Sequence, residues 1–363
     1  MSWIIIAILG IYLFWLVIML FGWLKIDSIY KEVSHSKFFY SIIVPFRNES
    51  EHLPTLLNSL SQLNFDRYEI ILVNDHSEDD SIQVIAESTI KLKLISLPEG
   101  RSGKKAALTV GINAAKGDII VTTDADCQHH PNWLKVFDYF FNNMKAQMVF
   151  GGVALINNGK LFSKLQQVEF APLIGVGAAS LQLGLPTMCN GANLAFRKLA
   201  FETVNGYDGN EHIASGDDEF LLAKIHNQFP KQVFYAKQAD ARVTTAACKT
   251  LGEFYNQRKR WASKWSANNG IYKSMLAVLI FCSTGATVAA IFHLFVDYSA
   301  LLAIALSLKL ILDGFLIYSV LKSLQIPFSI LIYPLAQILY PIYVLIFGIA
   351  ANFGNYSWKG RRH

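Results

Sequence analysis

Two aspartates close an apolar run in Gly117-Asp118-Ile-Ile-Val-Thr-Thr-Asp124-Ala-Asp126. Ile119, Ile120 and Val121 read as a buried strand, and the carboxylates emerge where it stops. In open α/β sheets, ligands sit outside the carboxyl ends of strands. An Asp-x-Asp pair there offers hard oxygen ligands to a divalent cation, Mg²⁺ or Mn²⁺. Such a cation neutralises a diphosphate. A solvated turn would also use aspartates, so the pair gains meaning only from what surrounds it.

The elements that would position this pair are legible. Residues 40–45, 69–75 and 93–97 read as strands, and the run before Asp124 as a fourth. Helical patterns fit near 50–63, 78–89 and 103–116. Strands alternating with helices imply a parallel sheet with right-handed crossovers. Asn48, Asp75, Arg101 to Lys104, and Asp124 with Asp126 then line one edge of the sheet, as a nucleotide site requires. Gly100-Arg-Ser-Gly103-Lys104-Lys105 lacks the spacing of a phosphate-binding P-loop, and no Gly-x-Gly-x-x-Gly follows the first strand. A dinucleotide cofactor is therefore not expected.

Of the 363 residues, 53% are hydrophobic and 16% charged, and the apolar ones are segregated. Residues 3–24 carry no charge and are long enough to span a bilayer. They lack the basic n-region and small-residue cleavage site of a signal peptide, so they read as an uncleaved anchor. Residues 275–296, 299–321 and 326–352 are each long enough to span as well. Net charge is +5, with Lys25, Lys31 and Lys37 after the first span and Arg258, Lys259, Arg260, Lys264 and Lys273 before the second. Basic flanks mark the cytoplasmic side, which assigns the intervening domain to the cytoplasm. Anionic membrane lipids, rather than nucleic acid, account for these charges. Cys127, Cys189, Cys248 and Cys282 show no Cys-x-x-Cys spacing, which argues against a zinc site or disulfide framework.

Taken in order across residues 40–261, the motifs resemble family-2 glycosyltransferases, inverting enzymes with the GT-A nucleotide-sugar fold. Pro45-Phe-Arg-Asn48-Glu49 is similar to the first-strand signature, and Val73-Asn-Asp75-His-Ser77 to the second acidic motif. Gly103-Lys104-Lys-Ala-Ala-Leu108, Thr123-Asp124-Ala-Asp126 and Asn190-Gly191-Ala-Asn193-Leu-Ala-Phe196-Arg197 follow, then Gly206-Tyr-Asp208. Gly216-Asp217-Asp218 resembles the motif bearing the base, and Gln257-Arg-Lys-Arg260-Trp261 the Gln-x-x-Arg-Trp motif.

The resemblance implies an α/β fold: a GT-A domain, mostly parallel sheet with helices on both faces, plus transmembrane helices. It implies nucleotide-sugar binding by Pro45, Asn48, Glu49, Asp75, Lys104, Asp124 and Arg260. Metal binding falls to Asp126 with Asp124. Acceptor binding falls to Gly191, Asn193, Asp217, Gln257 and Trp261. Asp218 would be the catalytic base that takes the acceptor hydroxyl's proton. The family more often has Glu-Asp where this chain has Asp217-Asp218, which leaves open which of the two faces the acceptor. An acidic pair at a helix N-terminus is the structural alternative. If residues 250–268 are helical, Gln257, Arg260 and Trp261 share a face. An interfacial helix anchored by Phe254, Lys264 and Trp265 reads equally well there.

The expected plan is an anchor (1–25), a cytoplasmic glycosyltransferase domain (26–245), interfacial helices (246–274), membrane helices (275–353) and a basic tail (354–363). Residues 161–185 read as an interfacial segment or a buried core helix. Lys309 and Asp313 lie at i, i+4 inside a span, where charges are costly; they neutralise each other or meet a headgroup or saccharide. The tail Trp358-Lys-Gly360-Arg-Arg362 resembles the ends of ceramide-glucosyltransferase-like enzymes. Its basic charge conflicts with three full C-terminal spans, so either one of these segments is expected to be re-entrant or interfacial, or the last stretch, with Pro327, Pro334 and Pro341, is a broken pair. The function expected is metal-dependent, inverting transfer of a sugar, from a UDP-sugar, to a membrane lipid at the cytoplasmic face of a bacterial cell membrane, by a multi-pass protein. A processive polysaccharide synthase elongating a glycan is the alternative. A non-catalytic scaffold with a nucleotide-binding fold and a transporter are the readings from other classes.

Overall fold

The computed structural model describes residues 2–28, 30–31, 33, 35–209, 216–267, 271–350, 357–358 and 361–362, with the side chains of 263–267, 357–358 and 361–362 excepted. In chain order, α1 (Ser2–Lys25) leads to β1 (Tyr40–Phe46), α2 (Leu53–Ser61), β2 (Tyr68–Asn74), α3 (Ser81–Ala86), β3 (Lys93–Ser96), α4 (Lys104–Ala114) and β4 (Ile119–Thr122). There follow β5 (Cys127–His129), α5 (Trp133–Asn143), β6 (Met148–Gly151), β7 (Val153–Ile156) and α6 (Leu161–Gln182). Next come β8 (Leu194–Arg197), α7 (Lys198–Thr203), α8 (Asp217–Gln228), β9 (Val233–Ala236) and β10 (Val243–Ala246). The helices α9 (Leu251–Ala267), α10 (Ile271–Val296), α11 (Ala300–Ser323) and α12 (Ile332–Ala350) complete the architecture. Two compact units result: residues 26–156 with 186–247, and residues 1–25 with 157–185 and 248–363.

In the first unit a seven-stranded sheet runs in the order β3-β2-β1-β4-β8-β6-β9. All pairings are parallel except those of β8, which is antiparallel to both β4 and β6. Ile42, Ile43 and Val44 are fully buried at its centre, as are Ile71, Leu72 and Val73 beside them. Each such side chain contributes roughly 1.5–3 kcal/mol on leaving water. The β4 ladder ends at Ile43–Thr122, so the missing N–H of Pro45 costs no bond to β4. The helix α4 lies close on β1 and β2: a Cβ at Gly111 would sit 2.5 Å from Ile43 Cγ2. A second sheet, β5-β10-β7, pairs β10 with β5 and β7.

The second unit holds four helices long and apolar enough to cross a membrane: α1, α10, α11 and α12. The expected third C-terminal segment, 326–352, is shorter as a helix. Pro327 and the left-handed Gln325 (φ 55°) keep the chain non-helical until Ile332. Helix α1 packs on α6, α10 and α11. Lys309 Nζ donates to Asp313 Oδ2 at 2.6 Å, and the Tyr12 hydroxyl of α1 donates to Oδ1 at 2.7 Å. The two charges therefore neutralise each other and tie α11 to α1. Most of the tail, including residues 354–356, 359–360 and 363, lies outside the described residues, as do the side chains of Lys264 and Trp265.

Candidate active site

Strand ends and the loops after them build the site in the first unit. Asp124 and Asp126 follow β4 directly. The Lys104 ammonium lies 2.6 Å from Asp124 Oδ1. Lys104 opens α4 because Gly103 adopts φ 96°, a conformation open to glycine at no steric cost. The Gly103 N–H donates to Asp75 Oδ2 at 3.0 Å, so the buried Asp75 at the end of β2 anchors the start of α4. Burial alone would lower the Lys104 ammonium, but Asp124, Asp217 and Asp218 outweigh it and hold it well above the usual lysine range.

Gly191 joins this cluster to Asp218. Its N–H donates to Asp218 Oδ2 at 2.9 Å, and its carbonyl accepts from Thr122 Oγ1, at the end of β4, at 2.7 Å. A Cβ added at Gly191 would lie 3.5 Å from Asp218 Oδ2 and 3.6 Å from Lys104 Nζ. Asp218 Oδ1 also accepts from the Glu219 N–H at 2.9 Å. Gly216, with φ 89°, caps α8 and delivers Asp217 and Asp218 at its first turn, where the helix dipole favours carboxylates. Tyr207 is buried facing this pair. Lys104, Asp124, Gly191, Asp217 and Asp218 are thus brought together.

Asp126 sits in a different setting. Thr245 Oγ1 of β10 donates to its Oδ2 at 3.1 Å. Burial first, and then the Asp124 carboxylate, push the Asp126 carboxyl above the usual range. Negative charge is therefore in surplus here. Hard oxygen donors carrying such a surplus suit Mg²⁺ or Mn²⁺. Among the described residues no group of three or more His, Cys, Asp or Glu side chains is gathered for a metal. A cation held by Asp126 and Asp124 would complete its shell with water and phosphate oxygens, as Mg²⁺ commonly does.

Other expected residues are engaged in holding loops. The N–H of Asn48 (φ 52°) donates to Ser77 Oγ at 3.1 Å, and its Oδ1 accepts from the Glu78 N–H at 2.8 Å. The Glu49 carboxylate pairs with His52 Nδ1 at 2.7 Å, and its N–H donates to Ser81 Oγ at 2.9 Å. Pro45 lies within β1, in register with Val73. Asn193, expected to touch the acceptor, is fully buried. Its amide donates to the carbonyls of Gly152 and Ala241 and accepts from Trp133 Nε1, so it fixes the loop carrying Gly191 rather than meeting a ligand. Sequence reasoning missed Thr122, Thr245 and Arg47. Arg47 donates to the carbonyls of Asp75 and His76 and pairs with Glu78 at 2.8 Å. The signal for Thr245 was its place in an alternating strand, which alone names no partner.

His129 supports the same region from below. It is buried against Trp133, with ring centroids 4.2 Å apart, and contacts Thr123 Oγ1 at 2.8 Å and Ser59 Oγ at 3.3 Å. Burial lowers its pKa from 6.5 to about 3. Between those values the unfolded chain binds the extra proton, so stability falls as pH drops from about 6.5 toward 3. The expected loss is a few kcal/mol at most across that window. Melting temperatures measured against pH should fall less steeply for His129→Gln than for the unaltered protein.

In the second unit, α9 carries Gln257, Arg260 and Trp261 on one helix, as their spacing requires. Gln257 Oε1 accepts from the Arg258 guanidinium, and the Trp261 ring packs on Phe170 at 5.4 Å.

The comparisons agree with this architecture. Residues 41–204 match the model of Glycosyl transferase family 2. A poly-beta-1,6-N-acetyl-D-glucosamine synthase of Staphylococcus epidermidis is 29% identical over 228 residues, which is 61% of this chain and 53% of that protein. One from Staphylococcus aureus strain COL is 30% identical over 221 residues, 59% of this chain and 52% of that protein. The chain thus spans about half the length of these curated relatives. Among solved structures, a mannosyltransferase from Pyrobaculum calidifontis, in complex with GDP-Man and Mn²⁺, superposes with a TM-score of 0.58 at 18% identity. That match covers 97% of this chain and 98% of that one. The fold is therefore GT-A, and residues 41–204 carry the likeness to Glycosyl transferase family 2.

Proposed function

We propose that the protein is a membrane-bound, inverting glycosyltransferase that moves a sugar from a nucleotide diphosphate to an acceptor hydroxyl at the cytoplasmic face. The observation that carries this reading is the placement of Asp218 and Lys104 on either side of Gly191, with Asp124 paired to Lys104. Asp75, Lys104 and Asp124 serve the nucleotide side. Asp218 accepts the acceptor's proton as its oxygen attacks the anomeric carbon opposite the departing diphosphate. Backbone N–H donors from Gly191 and Glu219 hold that carboxylate in place. Lys104 offsets charge growing on the leaving group. A divalent cation held by Asp126 and Asp124 supplies Lewis-acid stabilisation of the diphosphate. By the resemblance, Arg260 would pair with phosphate oxygens through its forked donors, and Gln257 and Trp261 would serve the acceptor.

The curated relatives are named as synthases of poly-beta-1,6-N-acetyl-D-glucosamine, which favours a growing glycan as acceptor. A lipid acceptor is the second reading, favoured by the four apolar helices. One experiment tests all of this. Purified protein in detergent is incubated with Mn²⁺, a panel of UDP- and GDP-sugars, and either a membrane lipid extract or short oligosaccharides, and products are identified by mass spectrometry. A ladder of added sugars supports polymer synthesis, and a single addition to a lipid supports the second reading. No transfer or hydrolysis of any donor would leave the non-catalytic scaffold in its place.

A further inference from the structure

Helix α6 presents Gln166, Glu169 and Phe170 at i, i+3 and i+4, and all three engage α9 or the segment leading into it. The Gln166 amide bonds the backbone of Cys248 in both directions, at 3.0 Å each. Glu169 receives Arg258 bidentately: Nε lies 3.0 and 3.1 Å from its two oxygens, and a second guanidinium nitrogen bonds the same carboxylate. Phe170 packs on Trp261. The Arg258 side chain is only 1% exposed. Its third nitrogen donates to Gln257 Oε1, which also accepts from Cys248 Sγ at 3.4 Å. Its guanidinium carbon stands 4.3 Å over the Trp261 ring and 4.6 Å over that of Phe254. Tyr343 of α12 faces the same Glu169 carboxylate, and Phe347 of α12 packs on Phe254 and Tyr255.

One buried cation thus touches two residues of the Gln-x-x-Arg-Trp motif and is itself gripped by a carboxylate from a helix 89 residues away. A buried ion pair is weak evidence for stability. A bidentate guanidinium–carboxylate fork, by contrast, fixes orientation. We propose that Glu169 and Arg258 are positioning residues that hold Gln257 and Trp261 in the single orientation glycosyl transfer requires. The functional half of this inference rests on the reading of the protein as a glycosyltransferase. The orientational half stands on the contacts alone.

The test uses the full chain in detergent with Glu169→Gln and Arg258→Lys. The lysine keeps the charge but loses the fork. Transfer to acceptor should fall roughly 10- to 100-fold in kcat, the scale of a 1 Å misplacement. UDP binding by calorimetry should stay unchanged; Glu169→Gln leaves a buried guanidinium without its carboxylate and should melt lower, so transfer is compared well below the melting transition of every variant. Independently, 5-fluorotryptophan labelling puts fluorine on all seven tryptophans; the Trp261 signal, assigned as the one lost in Trp261→Phe, should be single in the unaltered protein and shifted or split in Glu169→Gln. An unmoved resonance overturns the proposal, as does unchanged transfer or a loss that simply tracks melting temperature. A moved resonance in a protein that transfers no sugar would sustain the positioning role and sink the glycosyltransferase reading instead.

Discussion

Asp218→Asn should abolish sugar transfer while nucleotide-sugar binding persists. The substitution keeps the side chain's shape, and the Asn carbonyl can still accept from Gly191 N–H, so the loop between α6 and β8 stays in place at the loss of the bond from Glu219 N–H. What is lost is the ability to take a proton. General-base catalysis by a positioned group contributes about 10²- to 10⁴-fold, roughly 3–5 kcal/mol of barrier. The loss should appear in kcat, with the calorimetric affinity for UDP-sugar unaltered. Asp217→Asn is the control, because Asp217 precedes the base on the same helix turn. Full turnover by Asp218→Asn together with a dead Asp217→Asn would transfer the role to the neighbouring residue.

The second large effect concerns Asp126. Chelation by EDTA should stop the reaction, and Mn²⁺ or Mg²⁺ should restore it. Asp126→Asn should lose about 10²-fold or more in kcat, since a Lewis acid at a leaving diphosphate contributes several kcal/mol. Stability should move the other way. The Asp126 carboxylate is held in a buried position beside Asp124, an arrangement that disfavours its charge. Removing that charge should leave the metal-free melting temperature unchanged or raised. Activity that survives both chelation and Asp126→Asn would assign leaving-group stabilisation to Lys104 and Arg260 alone.

The parts of this architecture encoded locally could be read from the chain. Continuous apolar runs at 42–44 and 119–121 gave central strands, because a strand buried on both faces needs no alternation. Asp124 and Asp126 stood out because carboxylates end such a run. The motif matches then supplied Lys104, Gly191 and Asp218, which the fold brings together. Pairings between distant segments were not legible. Thr245 meets Asp126 only because β10 lies against β5, and nothing near residue 245 announces that register. Glu169 looked like one polar residue in an apolar stretch, and its partner is on another helix. Asn193 was assigned to a ligand because a buried asparagine and a binding asparagine look identical in a sequence. The antiparallel placement of β8 inside an otherwise parallel sheet also had no local mark.

That placement has a consequence for how the protein is made. Strand β8 is the only neighbour β4 has on its outer side, and it also joins β6 to the rest of the sheet. Yet β8 leaves the ribosome after α5, β6, β7 and the whole apolar helix α6 have been synthesised. At about 5–20 residues per second, β4 waits roughly 4–15 s with its edge unsatisfied. An open strand edge is a template for wrong partners. Nascent chains of this protein therefore pass through an interval of vulnerability in which a holding chaperone that covers the β4 edge favours folding over aggregation.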